Sequence, residues 1–143
     1  STVASATTRR QLYAIKFGSV SGTFTADEEI NQASTGAVGK VVEFDSTNLI
    51  LYYYQTRFPD VGTDSNGNLT AFSGANAITG QSSSASATPN TSDSDTTNGV
   101  SFSSGYANPE LAYDSGDIIY VEERSPITRA SDQTENVKLI IEF

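Results

Sequence analysis

Glu28-Glu29 and Glu122-Glu123 are adjacent carboxylates, and paired carboxylates are what acid–base catalysis would have to use in this chain. The sequence has no His and no Cys. The commonest general base and any thiolate nucleophile or thiolate metal ligand are therefore missing. Neighbours in a strand point to opposite faces, so Glu122 and Glu123 cannot share a proton. Both pairs read as solvated strand ends. Asp60, Asp64, Asn66 and Asn68 are oxygen donors within a short span. A helix–loop–helix calcium loop wants Gly at its sixth position and Glu at its twelfth. Counted from Asp64, Gly67 stands fourth and Ala75 twelfth, so the segment reads as a turn. Ser is abundant, but without His there is no Ser-His-Asp arrangement. A Ser–Lys variant would need Lys16, Lys40 or Lys138, each in a strand-like run with no partnering Ser motif. No phosphate-binding Gly-rich motif is present. No catalytic, cofactor-binding or metal residue is assigned, no cofactor is expected, and the chain is read as not an enzyme.

Tyr52-Tyr53-Tyr54 is the one aromatic cluster. Stacked rings can hold a sugar or a single-stranded base. No basic groove accompanies them, and only Arg57 is near. A core-plus-interface role fits better, because Tyr joins a large apolar body to a polar tip. The net charge of −9 argues against nucleic acid, whose phosphates need clustered Lys and Arg, and against an anionic membrane surface. No stretch approaches the ~18 apolar residues of a membrane span. Asn68-Leu69-Thr70 and Asn90-Thr91-Ser92 fit the glycosylation sequon by chance, since nothing signals a secretory route. The absence of Met suggests a processed, truncated or partial chain.

The elements that must position these groups are strands. Only 36% of the 143 residues are hydrophobic, and they are Ala, Val, Ile, Leu, Phe and Tyr. Branched and aromatic side chains suit a pleated surface. Ser1–Thr8 is small and polar, and residues 1–11 are expected to form a loose N-terminal arm. Leu12–Phe17 reads as a strand ended by Gly18, followed by an acidic turn at Ala26–Glu29. The clearest local signal is Lys40-Val41-Val42-Glu43-Phe44, then the turn formers Asp45-Ser46-Thr47-Asn48, then Leu49–Tyr54. This predicts a β-hairpin with a four-residue loop. Val42 and Phe44 are expected on one face, with apolar residues on both faces of the hairpin. Asn66-Gly67 is a hairpin-turn signal with weak flanks, Val61 and Leu69. From Thr79 to Gly105 the chain is nearly all small and polar, with Val100 and Phe102 its only large apolar residues. Such a stretch cannot offset its ordering entropy alone, so it is expected to be flexible or held by a neighbouring subunit. Asn108–Ala112 suggests one helical turn, Asp117–Glu122 a strand, and Val137–Phe143 a terminal strand. The expected fold is mainly β and sandwich-like, with room for one or two short helical turns. Residues 12–143 are read as a single β-rich domain with a polar insertion at about 60–105.

The C-terminal stretch carries a resemblance. Gly116-Asp117-Ile118-Ile119-Tyr120-Val121-Glu122-Glu123-Arg124-Ser125-Pro126-Ile127-Thr128-Arg129, then Asp132-Gln133-Thr134-Glu135 and Val137–Phe143, resembles the end of the number-eight baseplate wedge subunits of T-even-like contractile-tailed phages. The resemblance covers roughly the last 28 residues. It implies a virion structural protein of the tail baseplate, assembled in the host cytoplasm, forming homodimers and contacting other wedge proteins. It supplies no catalytic residue. Arg124 and Arg129 bracket Pro126, which fixes the backbone, and could make bidentate carboxylate contacts across an interface. They could equally neutralise Glu122, Glu123, Asp132 and Glu135. The candidate interface residues are Tyr52, Tyr53, Tyr54, Arg124, Pro126, Arg129, Asp132, Gln133 and Glu135. The alternative is a carbohydrate- or surface-binding β-sandwich module of a virion, using Tyr52–Tyr54 and the polar loops.

Overall fold

A strand alternates its side chains between two faces, and the first strand shows what this chain does with that period. In a computed structural model, which describes residues 10–56 and 61–110, β1 spans Tyr13–Ser21. Ile15 and Phe17 point into one apolar cluster, while Ala14 points into another on the opposite face. The strand runs on through Gly18 to Ser21 rather than ending there, with a register shift between Phe17 and Val20.

Eight further strands follow among the described residues: β2 (Glu29–Gln32), β3 (Ala37–Asp45), β4 (Ile50–Tyr54), β5 (Ile78–Gly80), β6 (Ser86–Pro89), β7 (Thr96–Thr97), β8 (Val100–Ser101) and β9 (Tyr106–Ala107). Hydrogen bonding runs β4-β3-β2-β5-β6-β1, and β1 then pairs back to β4. Every one of these pairings is antiparallel. The sheet is therefore closed, a small barrel that removes the open edges a sandwich would leave. The mainly β expectation holds, and no helix occurs among the described residues. β9 adds to β1 at Ala14↔Ala107 and Ile15↔Tyr106.

The interior holds Ile15, Phe17, Phe24, Ile30, Val41, Leu51, Tyr53, Phe72 and Ile78, with Ala37, Ala85 and Ala87. Tyr53 stacks on Tyr13 at 5.4 Å and meets Phe72 edge-on at 4.9 Å. Outside the barrel, Ala14, Ile50 and Tyr52 are covered by Val100, Phe102 and Ala107. The β3–β4 hairpin is thus apolar on both faces because β4 is covered from both sides. Its connection is residues 46–49, one position later than the sequence pattern suggested. Asp45 holds it, accepting from the Thr47 and Asn48 amides at 2.9 and 3.1 Å.

One face assignment changes. A bulge lies between Val41 and Glu43 in the β3–β4 ladder. The extra residue inverts the parity, so Val41 and Phe44, three positions apart, both face the interior cluster. Val42 is left outward and 40% exposed instead of sharing a face with Phe44.

The polar stretch 79–105 is held by its own chain. β5 pairs with β2 and β6, and β6 pairs with β1, so this segment supplies two of the barrel strands. Its inward residues are mostly small, Ala85 and Ala87 beside Ile78. Aromatics from elsewhere fill the volume, and main-chain hydrogen bonds do what the missing apolar side chains could not. The strands expected at Asp117–Glu122 and Val137–Phe143 lie outside the described residues. So do residues 111–112 of the expected helical turn, and residues 108–110 are not helical.

Gly39 on β3 decides how closely the central rings pack. A Cβ there would stand 2.9 Å from Tyr53 and 3.1 Å from Phe72, and 3.2 Å from the Tyr54 carbonyl oxygen. Gly18 has nothing closer than 3.9 Å. Urea denaturation should show Gly39→Ala destabilising the fold by about 2 kcal/mol through overpacking, with Gly18→Ala close to neutral.

Candidate interaction surface

Alternation along β4 separates the three tyrosines. Tyr53 points into the barrel and is 3% exposed. Tyr52 points outward but lies under the β7–β8 hairpin. Tyr54 also points outward and is 38% exposed. The three rings share no face, so they form no continuous stacking platform. Only Tyr54 can meet a partner without rearrangement of this part of the fold.

Strand register places a mixed row around it. Lys40 stands opposite Tyr54 on β4 and opposite Glu29 on β2. The row crosses three strands on the outer face, and directly opposed side chains sit within contact reach. Beside it lies an open depression of about 470 Å³, lined by Val38, Gly39, Thr56 and Val61 with Asp27, Glu29, Lys40 and Tyr54. Among the described residues the large apolar side chains left exposed are Val42, Tyr54 and Val61. Two of them line this depression. The surface is therefore an apolar patch rimmed by two carboxylates and one ammonium, a composition suited to protein contact.

The acidic turn that borders it is built from the inside. Asp27 takes a positive φ of 64°, and its amide donates to the Val41 carbonyl while the Val41 amide donates to the Glu28 carbonyl. Glu28 is 4% exposed, not solvated as the sequence suggested, whereas Glu29 is exposed. The Glu28 carboxylate accepts from the Thr25 amide at 2.6 Å, the Ser83 hydroxyl at 2.8 Å, and the Ser83 and Ser82 amides at 2.9 and 3.2 Å. Gly80 makes the room, since a Cβ there would stand 2.6 Å from a Glu28 oxygen. Burial pushes this carboxyl up. The hydrogen bonds from Ser83, Thr25 and Ser82 outweigh that and hold it below the ordinary glutamate range. Glu28 is thus an ionised acceptor with its oxygens already engaged, a clamp between the turns after β1 and β5. The partners are 55 positions apart, and no local signal in the sequence announces them.

Gln32 does similar work at the other end of β2. It is fully buried, donates to the Asn76 carbonyl and accepts from the Thr35 hydroxyl and the Ser73 amide. Lys16 faces outward from β1 into Asp93, Asp95 and Thr97, at 3.1, 2.9 and 2.8 Å. The hydrogen bonds that it donates to the Asp95 and Asp93 carboxylates raise its pKa. This anchors the segment that carries β7 and leaves Lys16 without a serine partner.

The Asp64 oxygens accept from the Asn66 and Asn68 amides at 2.8 and 2.9 Å, and the Gly67 amide donates to the Asp64 carbonyl. The Asp64–Asn68 stretch is therefore a turn, joined by a bridge between Thr63 and Leu69. Among the described residues no three carboxylates are grouped to hold a metal ion. Asp60, Arg124, Pro126, Arg129, Asp132, Gln133 and Glu135 lie outside the described residues.

A family model described as Bacteriophage T4, Gp8 matches residues 53–143, more than half of the chain. No curated protein and no solved structure matches it.

The Glu28 clamp sets a pH dependence with a definite sign. Its folded-state pKa is lowered, so its contribution is complete above the unfolded glutamate value and is lost as pH falls through the folded one. Glu28→Gln should cost about 2 kcal/mol near neutrality by leaving buried donors poorly matched. It should also flatten the acid limb of the stability–pH curve. Chemical denaturation across that limb measures both.

Proposed function

The chain belongs to the bacteriophage T4 Gp8 family, baseplate wedge subunits of a phage tail, and on that premise we propose that it works by docking to other baseplate proteins through the outer face of β2, β3 and β4. The surface part of this reading rests on one observation. Tyr54 and Val61 are both exposed and line one depression with Glu29 and Lys40. An aromatic anchor with a charged border is the arrangement in which a few side chains dominate binding energy. The closed barrel is a suitable carrier. It leaves few free strand edges for unspecific pairing, so contact is made by side chains on a rigid face.

The stretch bearing Arg124, Pro126 and Arg129, read from its sequence as a turn, with Asp132, Gln133 and Glu135 after it, is the second proposed contact. Guanidinium groups on a rigid turn can take carboxylates in bidentate fashion. Dimerisation with a second copy and recruitment of a wedge partner are the two associations this predicts. The role is read as purely structural, with virion assembly taking place in the host cytoplasm.

Light scattering and co-purification with the other baseplate proteins test this on the full chain. Tyr54→Ser and Arg129→Ala should each weaken association by about 1–2 kcal/mol, roughly tenfold, while leaving the melting temperature of the subunit unchanged. A chain that stays strictly monomeric and recruits no baseplate protein would overturn the reading.

A further inference from the structure

Two Asn-Gly pairs occur in the described residues, Asn66-Gly67 and Asn98-Gly99. An asparagine before glycine is open to attack by its own backbone, because glycine puts no side chain in the way. The two pairs sit in different surroundings. Asn66 is exposed at the tip of the Asp64–Asn68 turn, where only its main-chain amide is tied down, to the Asp64 carboxylate at 2.8 Å. Its carboxamide has no hydrogen-bond partner among the described residues. Gly67 has φ +77° and no atom within 4 Å of the position a Cβ would take. One weak constraint holds its nitrogen, a 3.0 Å hydrogen bond to the Asp64 carbonyl inside a solvent-exposed turn.

Asn98-Gly99 closes the β7–β8 hairpin with both residues at positive φ, 49° and 75°. That is the backbone of a tight two-residue hairpin turn. The Asn98 carboxamide is also held from the side. Its nitrogen lies 3.4 Å from Asp45, and the Tyr52 hydroxyl faces the same group. The residue after Gly99 is Val100, 1% exposed against Ile50 and Ala14. Bringing the Asn98 side chain round to the Gly99 nitrogen means reshaping a turn whose next residue is packed on the barrel.

We infer that Asn66 is a spontaneous modification site, converted to a carboxylate through its own backbone, and that the packed hairpin restrains the chemically equivalent and equally exposed Asn98. The Gly67 nitrogen gives up its proton and bonds to Asn66 Cγ. The bond from Cγ to Nδ2 breaks, and the amide leaves as ammonia. Water then opens the five-membered imide at either carbonyl, giving aspartate or isoaspartate and one added negative charge. Water is the only reagent consumed and no enzyme is needed. The inference stands apart from the docking role and does not depend on it.

The test is a time course on the intact chain at mildly alkaline pH. Peptide mapping by mass spectrometry follows amide-to-acid conversion at each position, and enzymatic isoaspartyl methylation identifies the product. Asn66 should convert roughly tenfold faster than Asn98, because opening an exposed turn costs less than peeling off a packed hairpin. In denaturant the difference should collapse. Tyr52→Phe should accelerate Asn98 and leave Asn66 unchanged, and Asn66→Gln should abolish the fast phase. Equal rates in the folded chain, no conversion at Asn66, or a rate ratio that persists in denaturant would each overturn the inference.

Discussion

Backbone hydrogen bonds along both edges of β1 close the sheet, and the remaining structure is arranged around that closure. Residues 13–16 pair with β4 on one side, while Phe17, Val20 and Ser21 pair with β6 on the other. A strand bonded on both edges cannot shift register without breaking two ladders, so its side-chain parity is fixed. Ile15 and Phe17 must then face inward, and Ala14 and Lys16 outward. The β4 partners follow suit, Leu51 and Tyr53 inside, Ile50 and Tyr52 outside. The second apolar cluster exists because closure leaves apolar side chains on the outside, and the β7–β8 hairpin covers them.

Closure also explains how a polar segment can be structural. A six-stranded barrel built from long apolar strands alone would have too little room for their side chains. Here β5 and β6 bring small residues, and the aromatic rings of Phe17, Phe24, Phe72 and Tyr53 occupy the centre. Gly39 and Gly80 extend the same logic. One admits a ring against the backbone, the other a carboxylate. Two of the polar groups that end up buried, Glu28 and Gln32, are surrounded by hydrogen-bond partners that include turns far away in sequence. Buried polar groups are tolerated on that condition.

The outer face of β2, β3 and β4 is the surface proposed for contact. Glu29 and Lys40 oppose one another across β2 and β3, and Tyr54 lines one depression together with Val61. A protein of a baseplate family needs a rigid face more than a mobile one, because a preorganised surface loses less entropy on assembly. The engaged donors around Glu28 stiffen the turn that borders this face. A group that the sequence offered as a candidate for acid–base chemistry thus serves the scaffold instead.

Much of this was legible in the sequence. The branched and aromatic runs, the turn formers at Asp45–Asn48 and the lack of His and Cys together specify a β-rich chain without thiol or imidazole chemistry. The terminal motifs placed it among the baseplate wedge subunits, and the family match agrees. These properties are local, carried by residue type and short-range spacing. Other features were out of reach. Nothing local shows that Val41 rather than Val42 turns inward, that Glu28 is buried, or that the stretch from Thr79 to Gly105 supplies barrel strands. Each depends on a partner in another segment of the chain: the β4 ladder, Ser83, β1 and β2. Residue type and period determine that strands form. Only the tertiary structure decides which strands meet, because pairing energy resides in contacts between segments that the linear order keeps apart.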